Sequence, residues 1–195
     1  ADGPSGLRME GKATQLPIGT ALSATWNTEL VRELYTMEGQ ELYRNQVDTL
    51  LGPGVNIRRN PLNGRNFEYF SEDPFLSGKM SVASTGGIKD GGAWGTIKHF
   101  ALNGQESHRF KIDAVCSERA IREIYLKSFE MAVKEKTVMS IMTSYNPING
   151  HWAASNYDLC TTILRKEWGY KGFVMTDWWA KMNDVVTGGK ESNQD

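Results

Sequence analysis

Polar clusters follow short apolar runs at intervals along this chain, and they hold the residue types that could do chemistry. The clusters read GRNFEYFSEDP, KHFALNGQESHR, SYNPINGH and TDWW. In a parallel α/β barrel the loops after the strands share one face, and that face holds the active site. Lys98, His99, Tyr145 and Asp177 are therefore expected to converge. Two cations, a phenol and a carboxylate beside the aromatic Trp178 suit a hydroxyl-rich ring such as a sugar, with its polar edges and apolar C–H face.

Asp177 is the most informative of these residues because it ends the apolar stretch GFVMTDWW. A carboxylate at the end of a buried strand is poorly solvated, and burying it without partners costs several kcal/mol. It therefore serves structure, as a helix cap or ion-pair partner, or it serves chemistry. A carboxylate can stabilise or trap an oxocarbenium centre. The residues alone leave both interpretations open.

Strands and helices alternate along the predicted chain. The predicted strands lie in LPIGTALSATW (Leu16–Trp26), VDTLLGPGVNI, AWGTIKHF, TVMSIMTSY and GFVMTDW. Helices are predicted after the caps Asn27, Asp73 (with Pro74 in the first turn) and Ser117, and from about Asn156 to Trp168 with Gly169 closing the last. The first of these helices should bury Leu30, Leu34, Met37 and Leu42, and the third Ile121, Ile124, Tyr125, Ser128 and Ala132.

This order gives about five β/α units and calls for a parallel sheet with helical connections. A closed (β/α)8 barrel needs eight strands and about 250 residues. The chain has 195 residues. We therefore expect the α/β fold of a TIM-like (β/α)8 barrel that is incomplete in this chain.

Composition excludes several other classes of protein. The net charge of -1, with 39% hydrophobic and 23% charged residues, is that of a soluble globular domain and suggests neither nucleic acid nor a membrane as a partner. No run of 18 apolar residues and no signal peptide is visible, so the location stays undecided, with the cytoplasm slightly favoured. Cys116 and Cys160 lack the spacing of a zinc site, and no metal site is expected.

Six blocks of sequence resemble one enzyme family. They read DGPSGLR, LLGPGVNIRRNPLNGRNFEYFSEDPFLSG, IKHFALNGQE, ERAIREIYLKSFE, IMTSYNPINGH and ILRKEWGYKGFVMTDWW. Together they are similar to the N-terminal barrel of family 3 glycoside hydrolases, on the β-glucosidase side of that family. The resemblance covers nearly the whole chain with the blocks in order, which makes it far more specific than any single motif.

The resemblance implies a role for individual positions. Asp177 in TDW matches the nucleophile that forms a covalent glycosyl-enzyme, so the implied function is a retaining β-glycosidase acting on terminal, non-reducing β-D-glucosyl residues without a cofactor. Residues matching those that hydrogen-bond the sugar hydroxyls are Asp2, Arg65, Lys98 and His99. Residues matching the lining of the pocket or the platform beside it are Arg8, Met142, Tyr145 and Trp178. Asp177 must be ionised to attack, and Lys98 and His99 are the expected cationic or hydrogen-bonding neighbours.

The resemblance also says what lies outside this chain. The branch that acts on N-acetylglucosamine carries KHFPGHG where this sequence has KHFALNGQE, so glucoside-like substrates are favoured. In the β-glucosidase branch the acid/base glutamate comes from a second α/β domain. Residues 1–195 are thus expected to form part of the catalytic barrel, with that domain of the same enzyme and a β-glucoside or oligosaccharide as partners.

Other interpretations remain open. The enzyme could be a β-xylosidase or another exo-β-glycosidase, and the chain could be a sugar-binding module that lost catalysis. A phosphate-binding α/β enzyme is suggested by GPG and GGAWG, but a GxGxxG fingerprint or GK[ST] ending is missing. Among other carboxylates, Glu68 is expected to pair with an arginine and order its loop. Glu106 is expected to brace the sugar-binding lysine, with direct proton transfer as the alternative.

Overall fold

A computed structural model describes residues 1–181 of the protein. Its centre is a four-stranded parallel sheet. The strands are β1 Thr49–Leu50, β2 Trp94–Phe100, β3 Ser140–Thr143 and β6 Phe173–Thr176, and a separate antiparallel hairpin consists of β4 Pro147–Ile148 and β5 His151–Trp152. The sheet order is β1-β2-β3-β6, so each strand lies beside the previous one along the chain. This is the arrangement of an incomplete (β/α)8 barrel, as the alternation of elements predicts.

Helices connect the parallel strands. The α-helices are α1 Gly19–Ala24, α2 Thr28–Arg44, α3 Pro74–Asp90, α4 Glu118–Ala120 and α5 Lys127–Lys134; π-helical segments span Ile121–Tyr125 and Asp158–Glu167, and a 3-10 turn spans Ala153–Ser155. Asn27, Asp73 and Ser117 cap their helices as predicted, since each side chain accepts a hydrogen bond from the backbone N–H three residues on. These local signals fix where the helices begin.

The strand predicted over Leu16–Trp26 is wrong, because this segment forms the short helix α1. A buried strand would hide its apolar side chains, yet Ile18 is 40% exposed and Trp26 is 76% exposed. A Cβ on Gly19 would collide with the backbone carbonyl of Glu68, so α1 rests directly on the loop that precedes α3. The sheet consequently has four strands in the part of the chain that the structure describes, one fewer than expected.

Helix α2 buries a different face from the one its leucines predict. Leu42 is buried as expected, but Leu30 and Met37 are 38% and 51% exposed, and Val31 and Tyr35 are fully buried in their place. The physical reason is a glycine seam between α2 and α3, made of Gly39, Gly87 and Gly91. A Cβ on Gly39 would lie 2.5 Å from the Ile88 carbonyl oxygen, and one on Gly91 would lie 2.5 Å from the Thr36 carbonyl oxygen. This close approach turns the glycine face of α2 inward.

The helix after Ser117 departs from its predicted buried face at one position, Ile124. The π-helical segment Ile121–Tyr125 inserts into it, and the amide of Leu126 donates to the Ile121 carbonyl. Because a π turn holds an extra residue, the face that packs inward shifts along the sequence. Ile124 is 39% exposed as a result. Ile121, Ser128 and Ala132 are buried as predicted, together with Phe129 and Val133.

Burial is uneven across the sheet. All of β3 is buried, and so is β2 after its first residue. Strand β6 pairs with β3 on one side, and Phe173 is 49% exposed with Val174, Met175 and Thr176 half-buried. The expectation of a buried strand here is therefore wrong for the described chain, while Asp177, which follows it, is only 6% exposed. The nucleophile candidate sits at the end of an edge strand.

Candidate active site

Asp177 lies directly after β6 with hydrogen-bond donors around its carboxylate. The Trp178 backbone N–H donates to Asp177 Oδ1 over 2.9 Å, and the Tyr145 hydroxyl hydrogen-bonds to the same side chain. His99 Nε2 lies 3.6 Å from Asp177 Oδ2. Burial and the neighbouring Asp177 charge both raise the pKa of Tyr145, so this phenol stays protonated and keeps a proton to donate.

Lys98 and Asp2 form the opposite end of the site. Lys98 Nζ, on a side chain that is 5% exposed, lies 3.0 Å from Asp2 Oδ1. Asp2 is held beside Leu51 by a parallel bridge, so the first residues of the chain extend the sheet next to β1. Burial raises the pKa of Asp2, but the charges of Lys98 and Arg8 outweigh it and lower the net value. Asp2 is therefore an ionised carboxylate clamped between two cations.

Arg65 reaches the site from the loop between β1 and α3. Its guanidinium is ion-paired with Glu68, whose side chain is 2% exposed. Burial lowers the pKa of Arg65, and Glu68 more than restores it, so the net shift is upward. The predicted pairing of Glu68 with an arginine is confirmed. A partly buried guanidinium that is anchored by an ion pair keeps a fixed direction, as a group that contacts a ligand must.

These side chains line one cleft of about 140 Å³. The lining residues are Asp2, Leu51, Arg65, Lys98, His99, Arg109, Met142, Tyr145, Asp177 and Trp178. The structure thus brings together the predicted site residues except Arg8. The Arg8 side chain is 64% exposed and touches the site through its 2.8 Å ion pair with Asp2. Met142 and Tyr145 are buried, whereas Trp178 is 66% exposed at the edge of the cleft.

Arg109 is a site residue that the sequence interpretation missed. Its guanidinium stacks 4.8 Å from the Tyr145 ring centre and pairs with Glu106 over 2.7 Å. The expectation that Glu106 braces Lys98 is wrong, because the loop after β2 turns so that Glu106 faces Arg109 three residues later and Asn103. The signal available in the sequence was the E-x-x-R spacing in NGQESHR, which allows such a local pair.

His99 is neutral, contrary to its expected role as a cation. Burial lowers its pKa well below the usual value, and the positive charges of Arg65, Lys98 and Arg109 lower it further. The ring is 2% exposed. Asp177 is therefore contacted by neutral donors, whereas Lys98 forms its ion pair with Asp2. The site thus separates a charged end, with Asp2 and Lys98, from an end where the contacts of Asp177 are neutral.

A larger groove of about 370 Å³ lies elsewhere, between the two π-helical segments and the β4–β5 hairpin. Its lining residues include Ile121, Ile148 and Ile163 and none of the site residues predicted from the sequence. Asp177, Lys98 and His99 belong to the smaller cleft. Size alone therefore misplaces the chemistry, and the convergent polar groups at the strand ends locate it.

Comparison with known proteins decides the family. The profile described as "Glycosyl hydrolase family 3 N terminal domain" matches residues 1–194. The chain belongs to glycosyl hydrolase family 3. The resemblance read from the six sequence blocks is confirmed, and the incomplete barrel is that of an N-terminal domain of this family.

Several named proteins are similar to this chain over nearly its whole length. The chain is 58% identical over 186 residues to a beta-glucosidase of Ruminococcus albus, covering 94% of this chain and 20% of that protein. It is 45% identical over 192 residues to an exo-alpha-(1->6)-L-arabinopyranosidase of Bifidobacterium breve, covering 92% of this chain and 25% of that protein. A solved beta-glucosidase from Paenibacillus barengoltzii superposes with a TM-score of 0.95 at 68% identity, covering 98% of this chain and 21% of that one.

The chain therefore spans about a fifth to a quarter of the length of these relatives. In the part of the chain that the structure describes, no helix is long and apolar enough to cross a membrane.

Proposed function

We propose that this chain is the nucleophile-bearing barrel segment of a retaining exo-β-glycosidase that removes terminal, non-reducing β-D-glucosyl residues. The observation that carries the proposal is Asp177, a buried carboxylate at a strand end that faces a cleft lined by Lys98, Arg65 and Asp2. In a retaining mechanism such a carboxylate attacks the anomeric carbon, the leaving oxygen takes a proton, and water later releases the sugar. The cleft side chains bind the ring hydroxyls during both steps.

The proton donor for the leaving oxygen has to come from another part of the enzyme. Within residues 1–181, the other carboxylates in or next to the cleft are Asp2, Glu68 and Glu106, and each is ion-paired. An acid that protonates the leaving group must itself hold a proton at the start of the cycle. Ion pairing with Lys98, Arg65 or Arg109 opposes that. We therefore place the acid/base glutamate on a second α/β domain of the same enzyme.

The substrate class follows from the relatives and the shape of the cleft. The relatives from Ruminococcus albus and Paenibacillus barengoltzii are named beta-glucosidases, which favours a β-glucoside or a β-linked oligosaccharide. The relative from Bifidobacterium breve is named an arabinopyranosidase, so a different pyranose, including the xylose of a β-xylosidase, is the second candidate. The cleft of about 140 Å³ is small, which suits one terminal sugar ring rather than an internal stretch of polymer.

A catalytically silent sugar-binding module is the contrasting interpretation. Such a module needs the hydroxyl-binding groups Arg65 and Lys98 but has no use for a buried, desolvated carboxylate at Asp177. Sugar binding without turnover by the full-length protein would favour the module.

The deciding experiment traps the intermediate in the full-length enzyme. A 2-deoxy-2-fluoro-β-glucoside with an activated leaving group forms the glycosyl-enzyme quickly and releases it slowly, because fluorine destabilises both transition states and the leaving group rescues only the first. Mass spectrometry of a tryptic digest should place the sugar on Asp177 within GFVMTDWWAK. A label on Glu68, Glu106 or Asp184 would refute the assignment; Asp184 lies outside the described residues. Normal turnover without any label would contradict the retaining mechanism itself.

A further inference from the structure

A row of buried side chains connects His99 to the loop after β2. The Tyr69 hydroxyl lies 3.2 Å from His99 Nδ1, and Asn103 Nδ2 donates to that hydroxyl over 2.8 Å. The same Asn103 nitrogen lies 3.1 Å from Glu106 Oε1. Tyr69, His99 and Asn103 are 0%, 2% and 5% exposed. These groups must therefore satisfy one another, since bulk water does not reach them.

The direction of each hydrogen bond in this row can be worked out from Glu106, the end of the row that can only accept hydrogen bonds. Glu106 is a carboxylate paired with Arg109, so it can only accept. Asn103 must therefore turn its NH2 group toward Glu106, and that group also donates to Tyr69. The Tyr69 oxygen accepts this bond and has one proton left to give, and its remaining partner is His99 Nδ1. Nδ1 of the imidazole is the acceptor at the end of the row.

A neutral imidazole with an accepting Nδ1 has its single proton on Nε2. His99 is neutral because burial and the charges of Arg65, Lys98 and Arg109 lower its pKa. Nε2 points to Asp177, 3.6 Å from Oδ2, and lines the cleft. The opposite tautomer would set a nitrogen lone pair against the Asp177 carboxylate, where both groups could only accept.

We propose that Tyr69 and Asn103 are positioning residues that hold His99 in its Nε2–H tautomer, so that the ring presents a hydrogen-bond donor to the cleft beside Asp177. The donor serves a sugar hydroxyl, and in this respect the inference rests on the proposed function. The tautomer itself is a property of the protein without substrate. A His99 that was free to choose its tautomer would divide its population between a donor and an acceptor at the same position.

The backbone of His99 is fixed independently of this row. Asn56 Nδ2 donates to the His99 carbonyl oxygen over 2.8 Å, and the His99 N–H donates to Asn56 Oδ1 over 2.6 Å. Tyr69→Phe therefore removes the hydroxyl that orients the ring proton while the strand stays in place. Tyr35 offers a matched control, because it is also 0% exposed and its hydroxyl bonds to the Pro4 carbonyl instead.

The direct test is neutron diffraction from deuterated crystals of the full-length enzyme without ligand. We expect a deuteron on His99 Nε2, none on Nδ1, and the Tyr69 O–D bond directed at Nδ1. A deuteron on Nδ1, alone or together with one on Nε2, would overturn the proposal. This measurement needs no turnover, so it stands or falls separately from the fluoroglucoside experiment on Asp177.

Kinetics of Tyr69→Phe and Tyr35→Phe in the full-length enzyme supply the functional test. Tyr69→Phe should lower kcat/KM for an aryl β-glucoside by about tenfold or more, the effect of losing a well-aligned hydrogen bond in the transition state. The same comparison is made with three monodeoxy glucosides, which lack the 3-, 4- or 6-hydroxyl. For the one whose missing hydroxyl is the partner of His99, the ratio of wild-type to Tyr69→Phe kcat/KM should be close to one. Tyr35→Phe should keep near-native kcat/KM. Equal losses for every monodeoxy glucoside would show that Tyr69 is merely structural.

Discussion

The two ends of the cleft hold their carboxylates in different ways. Asp2 is clamped between Lys98 and Arg8, and these charges lower its pKa against the opposing effect of burial. Asp177 is contacted by a backbone amide, a phenol and a neutral imidazole. A carboxylate whose charge is neutralised by two cations is a stable binding group and a poor nucleophile. Neutral dipoles can hold a carboxylate in position while its charge remains available for attack.

In the proposed function, this difference gives separate roles to two aspartates that share one cleft. The charged end, with Asp2, Lys98 and Arg65, accepts hydrogen bonds from sugar hydroxyls and donates hydrogen bonds to them. The other end carries Asp177, the proposed nucleophile, among neutral contacts. Each of the following changes acts on one end, and the expected effects decrease in size.

The largest effect is expected from Asp177→Ala in the full-length enzyme. Turnover should fall by about 10⁴-fold or more, because the proposed nucleophile is lost. Azide should restore turnover by entering from the vacated side and give the α-glycosyl azide, identified by NMR. Asp2→Ala is the matched control and should lose binding without azide rescue. If azide restored turnover to Asp2→Ala and not to Asp177→Ala, Asp2 and not Asp177 would be the nucleophile.

Removing the cations at the charged end should cost a few kcal/mol of transition-state stabilisation, measured as kcat/KM in Lys98→Ala and Arg65→Ala. The two variants should differ in stability. Lys98→Ala leaves Asp2 its ion pair with Arg8, whereas Arg65→Ala leaves the buried Glu68 charge unpaired, a loss of about 3–5 kcal/mol.

The double variant Arg65→Ala/Glu68→Gln separates binding from folding. It should recover much of the stability lost in Arg65→Ala, measured by chemical denaturation, and still lack activity. Near-native kcat/KM in Lys98→Ala or in this double variant would show that the charged end is structural.

The smallest effect on activity is expected from Glu38→Gln, beneath the loop that carries Asp2. Glu38 is 3% exposed, and burial together with the Glu41 charge raises its pKa to about 8, although a hydrogen bond from the Gly6 backbone opposes the rise. The folded state therefore keeps a proton that the unfolded chain releases near pH 4.5, so stability falls as pH rises from about 4.5 to about 8.

Glutamine stays neutral across this window, so Glu38→Gln should remove the slope. The variant should exceed the wild type by roughly a few kcal/mol in the free energy of unfolding at pH 8, and match it near pH 4. Denaturation curves of the full-length enzyme at both pH values test this, with the exposed Glu33→Gln on the same helix as control. A parallel pH slope in wild type and Glu38→Gln would exclude a buried proton at this position.

Structural features could be predicted from the sequence when they depend on residues close together along the chain. The caps Asn27, Asp73 and Ser117 were predictable because each bond spans three residues. Helix α1 was not predictable, because it packs against the Glu68 backbone, about fifty residues away along the chain. The inward face of α2 was likewise hidden, since leucine spacing carries no information about where a glycine lets another helix approach.

The same distinction applies to the site. The convergence of Asp177 and Lys98 in one cleft was predictable because Asp177 follows a strand and Lys98 lies near the end of one, and parallel strands bring such ends to one face. The charge state of His99 could not be read from KHF, because it depends on Arg65 and Arg109 from distant loops. Arg109 could not be recognised as a site residue from the sequence, because it reaches the site only when its loop folds back onto Tyr145.

The glycine seam between α2 and α3 bears on how a saturation-mutagenesis scan of this enzyme would look. At Gly39 and Gly91 even an alanine methyl group would meet backbone atoms, and at Gly87 it would meet the Arg32 carbonyl. Backbone cannot rotate aside as a side chain can, so these positions should be as depleted of variants as Asp177. A map based only on which positions are depleted of variants would wrongly suggest a second active site on the outer helices. Only a scan scored separately for abundance and for turnover would tell the two apart, because the seam variants would vanish from both and the Asp177 variants from turnover alone.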